Sequence, residues 1–108
     1  MANTFKSYFS KNVGTSAASV YTCPSATQTT IIGLSMANTS TSPITTDAYV
    51  TRSAVNYYLI KAVTVPVGGS LVIVGGDQKV VLQAADVLYV VNSAATSGDC
   101  AASLLEIA

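Results

Sequence analysis

The run from Val55 to Ile107 constrains the fold most. It alternates short apolar segments, NYYLIKAVTV, LVIV, KVVLQ, VLYVV and ASLLEI, with the breaks PVGGS, GGDQ, AAD and NSAATSGD. The segments are too short for helices and rich in Val, Ile, Leu and Tyr, the pattern of strands bounded by turn residues. In PVGGS the proline removes a ladder donor and the glycines admit turn dihedrals. Upstream, SVYTC (19–23), TIIGLSMAN (30–38) and ITTDAYVT (44–51) continue the pattern. The period-2 reading puts Ile32, Leu34 and Met36 on one face, and Ile44, Thr46, Ala48 and Val50 inward. It also puts Leu59 and Ile60 on opposite sides of their strand. Gly33 in mid-strand predicts a bulge or a close backbone approach. NTSTSP (38–43) is a polar loop and RSAVN a hairpin turn. About eight strands at this spacing predict an all-β fold, an antiparallel two-sheet β-sandwich of jelly-roll or immunoglobulin-like topology, over residues 15–108.

Residues 1–14 follow another period. Phe5, Tyr8, Phe9 and Val13 fall at i, i+3, i+4 and i+8, one face of a helix. The segment is expected to be an N-terminal arm or short helix, seated on its own domain or on a neighbouring subunit. Both phenylalanines of the chain lie in it, so Phe5, Tyr8, Phe9 and Val13 are candidate interface anchors.

Charge is scarce where apolar surface is plentiful. Half of the residues are hydrophobic and 9% are charged, against roughly 25% in an ordinary soluble domain. Five basic and five acidic residues cancel to zero net charge, whereas a free monomer usually carries an excess of one sign. LVIV, VLYVV and, in part, YYLI are apolar on both faces, although a sandwich buries only one face of each sheet. Partner subunits or the N-terminal arm are therefore expected to cover the outer faces, with Tyr57 and Tyr58 as further interface candidates and the chain forming a homo-oligomer. Lys6, Lys11, Arg52, Lys61 and Lys79 are scattered singly, which excludes a phosphate-binding patch and hence nucleic acid as a main ligand. No apolar stretch approaches the ~20 residues of a spanning helix, so no membrane partner is expected. MANTFKSYFSKNVG lacks the apolar region of a signal peptide, and synthesis and retention in a cytoplasm are expected. Cys23 and Cys100 are accordingly expected to be free thiols rather than a disulfide.

Catalytic chemistry finds no purchase. There is no histidine to serve as a base. Asp47, Asp77, Asp86, Asp99 and Glu106 show no paired spacing, and Asp77 and Asp86 follow GG and AA in turns, where aspartate binds nearby backbone. VGGS and VGGD lack the lysine and helix of a phosphate loop. Two cysteines this far apart form no zinc pattern. Asn38-Thr39-Ser40 matches a glycosylation acceptor without a secretory route. No enzyme activity, cofactor or metal is expected. Tyrosines in strands (Tyr49, Tyr57, Tyr58, Tyr89) suit interfaces and sugar platforms alike.

Three segments carry a family resemblance: TIIGLSMANTS (30–40), YYLIKAVTVPVGGSLVIVGGDQKVVLQAAD (57–86) and ASLLEIA (102–108). They resemble small virion structural proteins of tailed bacteriophages, notably phages of marine bacteria and cyanobacteria. In that group a strand pair leads into a P-x-G-x-S-L turn, a GG-D/K-K-V-V-L strand into a G-D-x-L turn, and a last strand ends in LEI. The match spans about three-quarters of the chain by strand pattern. It departs at Ala85, where the group often has glycine. The resemblance implies particle assembly: a capsid decoration or cement protein acting on the major capsid protein or other virion proteins. The alternative is a neck, tail or fibre-associated module that attaches a fibre or recognises host glycan through Tyr49, Tyr57, Tyr58 and the loops at 38–43 and 92–98. Either role places the chain in the virion, assembled in the host cytoplasm.

Overall fold

A computed structural model describes residues 3–75 and 78–108. Gly76 and Asp77, and with them the turn expected at GGDQ, lie outside the described residues. Among the described residues nine strands form: β1 (Asn3–Val13), β2 (Ala18–Thr22), β3 (Gln28–Asn38), β4 (Ile44–Arg52), β5 (Val55–Val65), β6 (Ser70–Val74), β7 (Val80–Leu82), β8 (Val87–Asn92) and β9 (Gly98–Ile107). They make two antiparallel sheets. One has the order β1-β9-β3-β6, with β7 also paired to β3; the other has the order β2-β8-β4-β5. The first three strands alternate between the sheets, and β8 and β9 each return between earlier strands. This is the jelly-roll arrangement, with two interlocked Greek keys, rather than the immunoglobulin one.

Period-2 alternation builds the core. Every second residue of β9 from Gly98 to Glu106 is buried, as are Ile44, Thr46, Ala48 and Val50 of β4. Ile31, Leu34 and Met36 from β3, Leu104 from β9, Leu88 and Val90 from β8, and Leu82 from β7 fill the space between the sheets. The bulge expected at Gly33 is present, as a register shift between Ile31 and Gly33. It corrects one expectation: Ile32 leaves the face that carries Leu34 and Met36, because the extra residue reverses the alternation. Register shifts in the β4–β5 pair likewise let adjacent Leu59 and Ile60 both pack on the core. Polar groups in the interior are matched. Thr46 Oγ1 donates to Asn92 Oδ1 at 2.7 Å, and Asn92 Nδ2 donates to the Val13 carbonyl at 3.3 Å. Asn38, the glycosylation match, is buried and donates to the Ser42 and Val65 carbonyls.

The segment expected to be an arm or short helix is strand β1, paired with β9 from Asn3↔Ile107 to Val13↔Gly98. The helical spacing loses for a physical reason. A short isolated helix is marginal in water, whereas Thr, Phe, Tyr and Val favour extended backbone and β9 offers a full ladder of partners. In the strand Phe5 and Phe9 share one face and Tyr8 takes the other.

Several turns carry residues at positive φ, and two of them bear on the fold directly. The β4–β5 hairpin closes through Ser53 and Ala54, with φ 53° and 64°, as the two-residue type I′ loop requires. At Gln83–Asp86 the Asp86 amide donates to the Gln83 carbonyl at 3.0 Å, and the Gln83 amide donates to Asp86 Oδ2 at 2.8 Å. Ala85, third in this turn, has φ 73°, the conformation that type II turns reserve for glycine. Ala85→Gly relieves the Cβ clash at some cost in chain entropy and is expected to stabilise the fold by roughly 0.5–1 kcal/mol, a rise of several degrees in Tm. An unchanged or lower midpoint in thermal unfolding would show that the turn is unstrained.

Candidate functional site, the two outer sheet faces

The outward residues of the five-stranded sheet form rows across the strands. One row runs Phe5–Leu105–Thr30–Val81, and another runs Phe9–Ala101–Ser35–Val72. Between them lies Ser7–Ser103–Gly33. None of these residues is charged. Phe5 and Phe9 are 75% and 78% exposed, and Val72 and Val81 at the opposite edge are 68% and 54% exposed. The middle of the face is made of small side chains. A hollow of about 290 Å³ lies beside Phe9, walled by Ser35, Ala37 and Ala101 with the Lys11–Asp99 pair at its end, and another of about 340 Å³ lies beside Phe5, walled by Lys6, Ser7, Ile32 and Ser103.

Contacts on the inward side of β1 hold the two phenylalanines in place. Tyr8 packs on Tyr21 of β2, ring centroids 5.3 Å apart, so β1 is tied to both sheets. The Lys6 Nζ lies 3.2 Å from Glu106 Oε1. Glu106, buried at the end of β9, also accepts a hydrogen bond from the Tyr21 hydroxyl, whose oxygen lies 2.8 Å from Thr29 Oγ1. The Tyr21 bond, with help from the Lys6 ammonium, holds the Glu106 carboxyl below its usual range. Desolvation and the same bond push the Tyr21 hydroxyl well above its ordinary value. At the far end Val13 is buried, and Asp99 accepts from the Asn12 amide at 3.1 Å and from Lys11 Nζ at 3.0 Å.

The outer face of the four-stranded sheet differs. Tyr49 stacks on Tyr89, centroids 5.3 Å apart, and meets Tyr58 at 5.0 Å. Lys61 Nζ sits 4.6 Å over the Tyr58 ring and 3.2 Å from Asp47 Oδ2, and the Ala62 amide donates to Asp47 Oδ1 at 2.6 Å. This face is an aromatic platform bordered by an ion pair.

The candidate anchors thus separate. Phe5 and Phe9 stand together on one outer face, Tyr8 turns inward, and Val13 joins the core. Tyr58 belongs to the tyrosine platform. Tyr57 lines a cleft of about 390 Å³ with Val50, Arg52, Leu59 and Val80–Leu82, between residues of β4 and β5 and those of β7. Ala101, Ser103, Ser35, Val72 and Val81 of the apolar face escape sequence reading, because their shared face depends on which strands pair. Tyr89 joins its platform for the same reason, although its strand position is visible.

Each described carboxylate is committed to a structural partner. Besides Asp47, Asp99 and Glu106, Asp86 receives two bonds from Arg52, with Nε at 2.8 Å, and these hold its carboxyl below the usual range. Among the described residues no group of His, Cys, Asp or Glu could hold a metal ion. Cys23 and Cys100 are free and buried, and burial pushes the Cys100 thiol up to about 12.

No protein-family model matches the chain, and no curated protein matches it. Among solved structures it is similar to one described by the words "Bacillus endospore appendages form a novel family of disulfide-linked pili", with TM-score 0.58 and 13% identity over 97% of this chain and 85% of that one. At that identity the likeness shows the fold.

The Glu106 network carries a pH signature. Its carboxyl titrates lower when folded than when unfolded, so its stabilisation is present above the ordinary glutamate range and is lost as pH falls through the folded pKa. Glu106→Gln is expected to cost about 2 kcal/mol near neutral pH, the scale of a buried charge-assisted hydrogen bond. In urea unfolding the gap between wild type and variant is expected to close as the solution is acidified below about pH 4, a window below the ordinary glutamate value; a gap independent of pH would exclude the ionised carboxylate as its source.

Proposed function

We propose that this chain is a non-enzymatic structural protein of a tailed-bacteriophage virion, a decoration or cement subunit that stabilises the particle through symmetric contacts with the major capsid protein and with its own copies. One observation carries the reading. The outer face of the five-stranded sheet exposes Phe5 and Phe9 by about three-quarters along rows without charge, its ions confined to the Lys11–Asp99 pair at one end, where an isolated soluble domain would present more charge. Repetition on a lattice makes many weak contacts of this kind collectively tight through effective concentration. The resemblance of residues 30–40, 57–86 and 102–108 to phage virion proteins supplies the setting. The commitment of the described carboxylates to structural partners leaves none of them poised for acid–base work.

The fold neighbour is a pilus described as disulfide-linked. Here both thiols are buried, so subunits of this chain associate through non-covalent contacts. On non-reducing gels, protein recovered from particles is expected to migrate as a monomer. A ladder of reducible oligomers would contradict non-covalent assembly.

The assembly reading is tested on purified particles. The chain is expected there at a fixed, symmetry-related copy number, and particles lacking it are expected to release their genome at lower temperature. Absence of the chain from purified particles would overturn the reading. The platform of Tyr49, Tyr58 and Tyr89 favours a second reading, a fibre-associated module that binds host glycan. Glycan-array binding by the wild type that Tyr58→Ala abolishes would select it.

A further inference from the structure

We infer that the outer face of the five-stranded sheet is the interface between two copies of this chain, with the Phe5–Phe9 ridge of each copy seated in the trough of small residues of the other. The inference deepens the assembly reading, on which its biological setting rests, by naming the occupant of the apolar face.

The face is complementary to itself. Its tall element is the pair of phenyl rings on edge strand β1. Its low element is the strip formed by Ala101 and Ser103 of β9 with Gly33 and Ser35 of β3. The hollows of about 290 and 340 Å³ lie along this strip, one beside each ring. A two-fold axis running along the strands above β9 carries β1 of one copy over β3 of the other and keeps the rows aligned. Phe9 then lies over Ser35 in the Phe9 row, and Phe5 lies over Thr30 in the Phe5 row. Such an interface is isologous: the same patch serves both copies, and the pair closes on itself.

The area suffices. Two phenylalanines, each about three-quarters exposed, bring roughly 300 Å² per copy, and the trough they cover brings about as much again. A symmetric pair thus buries on the order of 1,200 Å², the lower end of stable, specific interfaces. Charge gives no reason to favour a foreign partner. The three rows are uncharged, and the nearest ions, Lys11 and Asp99, already neutralise each other at 3.0 Å. Within the three rows apolar shape is the main recognition element, and ridge and trough are both present on every copy.

The test is the mass of the purified chain in solution by sedimentation equilibrium over a concentration series. Wild type is expected to form a dimer. Phe5→Ser/Phe9→Ser is expected to stay monomeric, with a melting midpoint that does not vary with concentration and matches that of wild type at dilutions where wild type has dissociated, because both rings are exposed in the single copy. As a second measurement, mixing copies carrying Phe9→Cys with copies carrying Ser35→Cys is expected to give an oxidised mixed dimer. The same mixture with Thr51→Cys, on the other sheet, in place of Ser35→Cys is expected to give none. Wild type that remains monomeric throughout, or a double serine variant that pairs as wild type does, would overturn the inference. Incorporation into particles is scored separately. A monomeric chain found in particles sinks the pairing and leaves the assembly reading standing; a dimer absent from particles does the reverse.

Discussion

The pairing of β1 with β9 is the contact on which the molecule's presentation of itself depends. It turns an amphipathic N-terminal segment into the edge of a sheet, and it makes β9 an interior strand between β1 and β3. Once the backbone is extended, alternation leaves no freedom in where the side chains go. Lys6 and Tyr8 take the side toward the other sheet, where they meet Glu106 and Tyr21 at the solvent-exposed edge, and Phe5 and Phe9 take the opposite side. The same ladder that buries Val13 holds the two aromatic rings in water. Removing the segment would therefore strip β9 of its ladder and uncover the core beside Val13, so point changes at Phe5 and Phe9 are the informative ones.

The two outer faces divide the surface chemistry between them. The four-stranded sheet carries the tyrosine platform and the Lys61–Asp47 pair, groups that tolerate water. The five-stranded sheet carries uncharged rows bounded by bulky apolar residues at both edges. With so few ionised groups in the chain, the ions present do structural work at strand ends and turns. Arg52 and Asp86 join the β4–β5 hairpin to the β7–β8 turn, Lys11 and Asp99 fasten the end of β1, and Lys6 and Glu106 fasten its middle. Apart from the Lys11–Asp99 pair at one end, the rows of the large sheet face are left without charge, and burial by a neighbour is what such rows are suited to.

Much of this was legible from residue order. The strand run, the bulge at Gly33, the hairpin at Ser53–Ala54 and the inward set of β4 follow from turn chemistry and alternation. Helix against strand at 1–14 was not legible. Phe5, Tyr8, Phe9 and Val13 satisfy a helical period as well as they fit a strand, and the partner that decides the matter is about ninety residues away in sequence. The placement of Ile32, Leu59 and Ile60 differs from simple alternation because a bulge shifts the pattern by one residue, and local composition marks only some bulges.

Residue order alone makes the chain a charge-poor all-β sandwich, without histidine and with apolar residues on both faces of several strands. Those properties are set by composition and short-range periodicity. The jelly-roll order of the strands, the row of Phe9, Ala101, Ser35 and Val72, and the meeting of Tyr49, Tyr58 and Tyr89 arise only in the folded molecule. Each brings together residues from distant strands. Strand pairing is a long-range choice, made by the backbone ladders and the shared core together, and a surface spread across several strands exists only once that choice has been made.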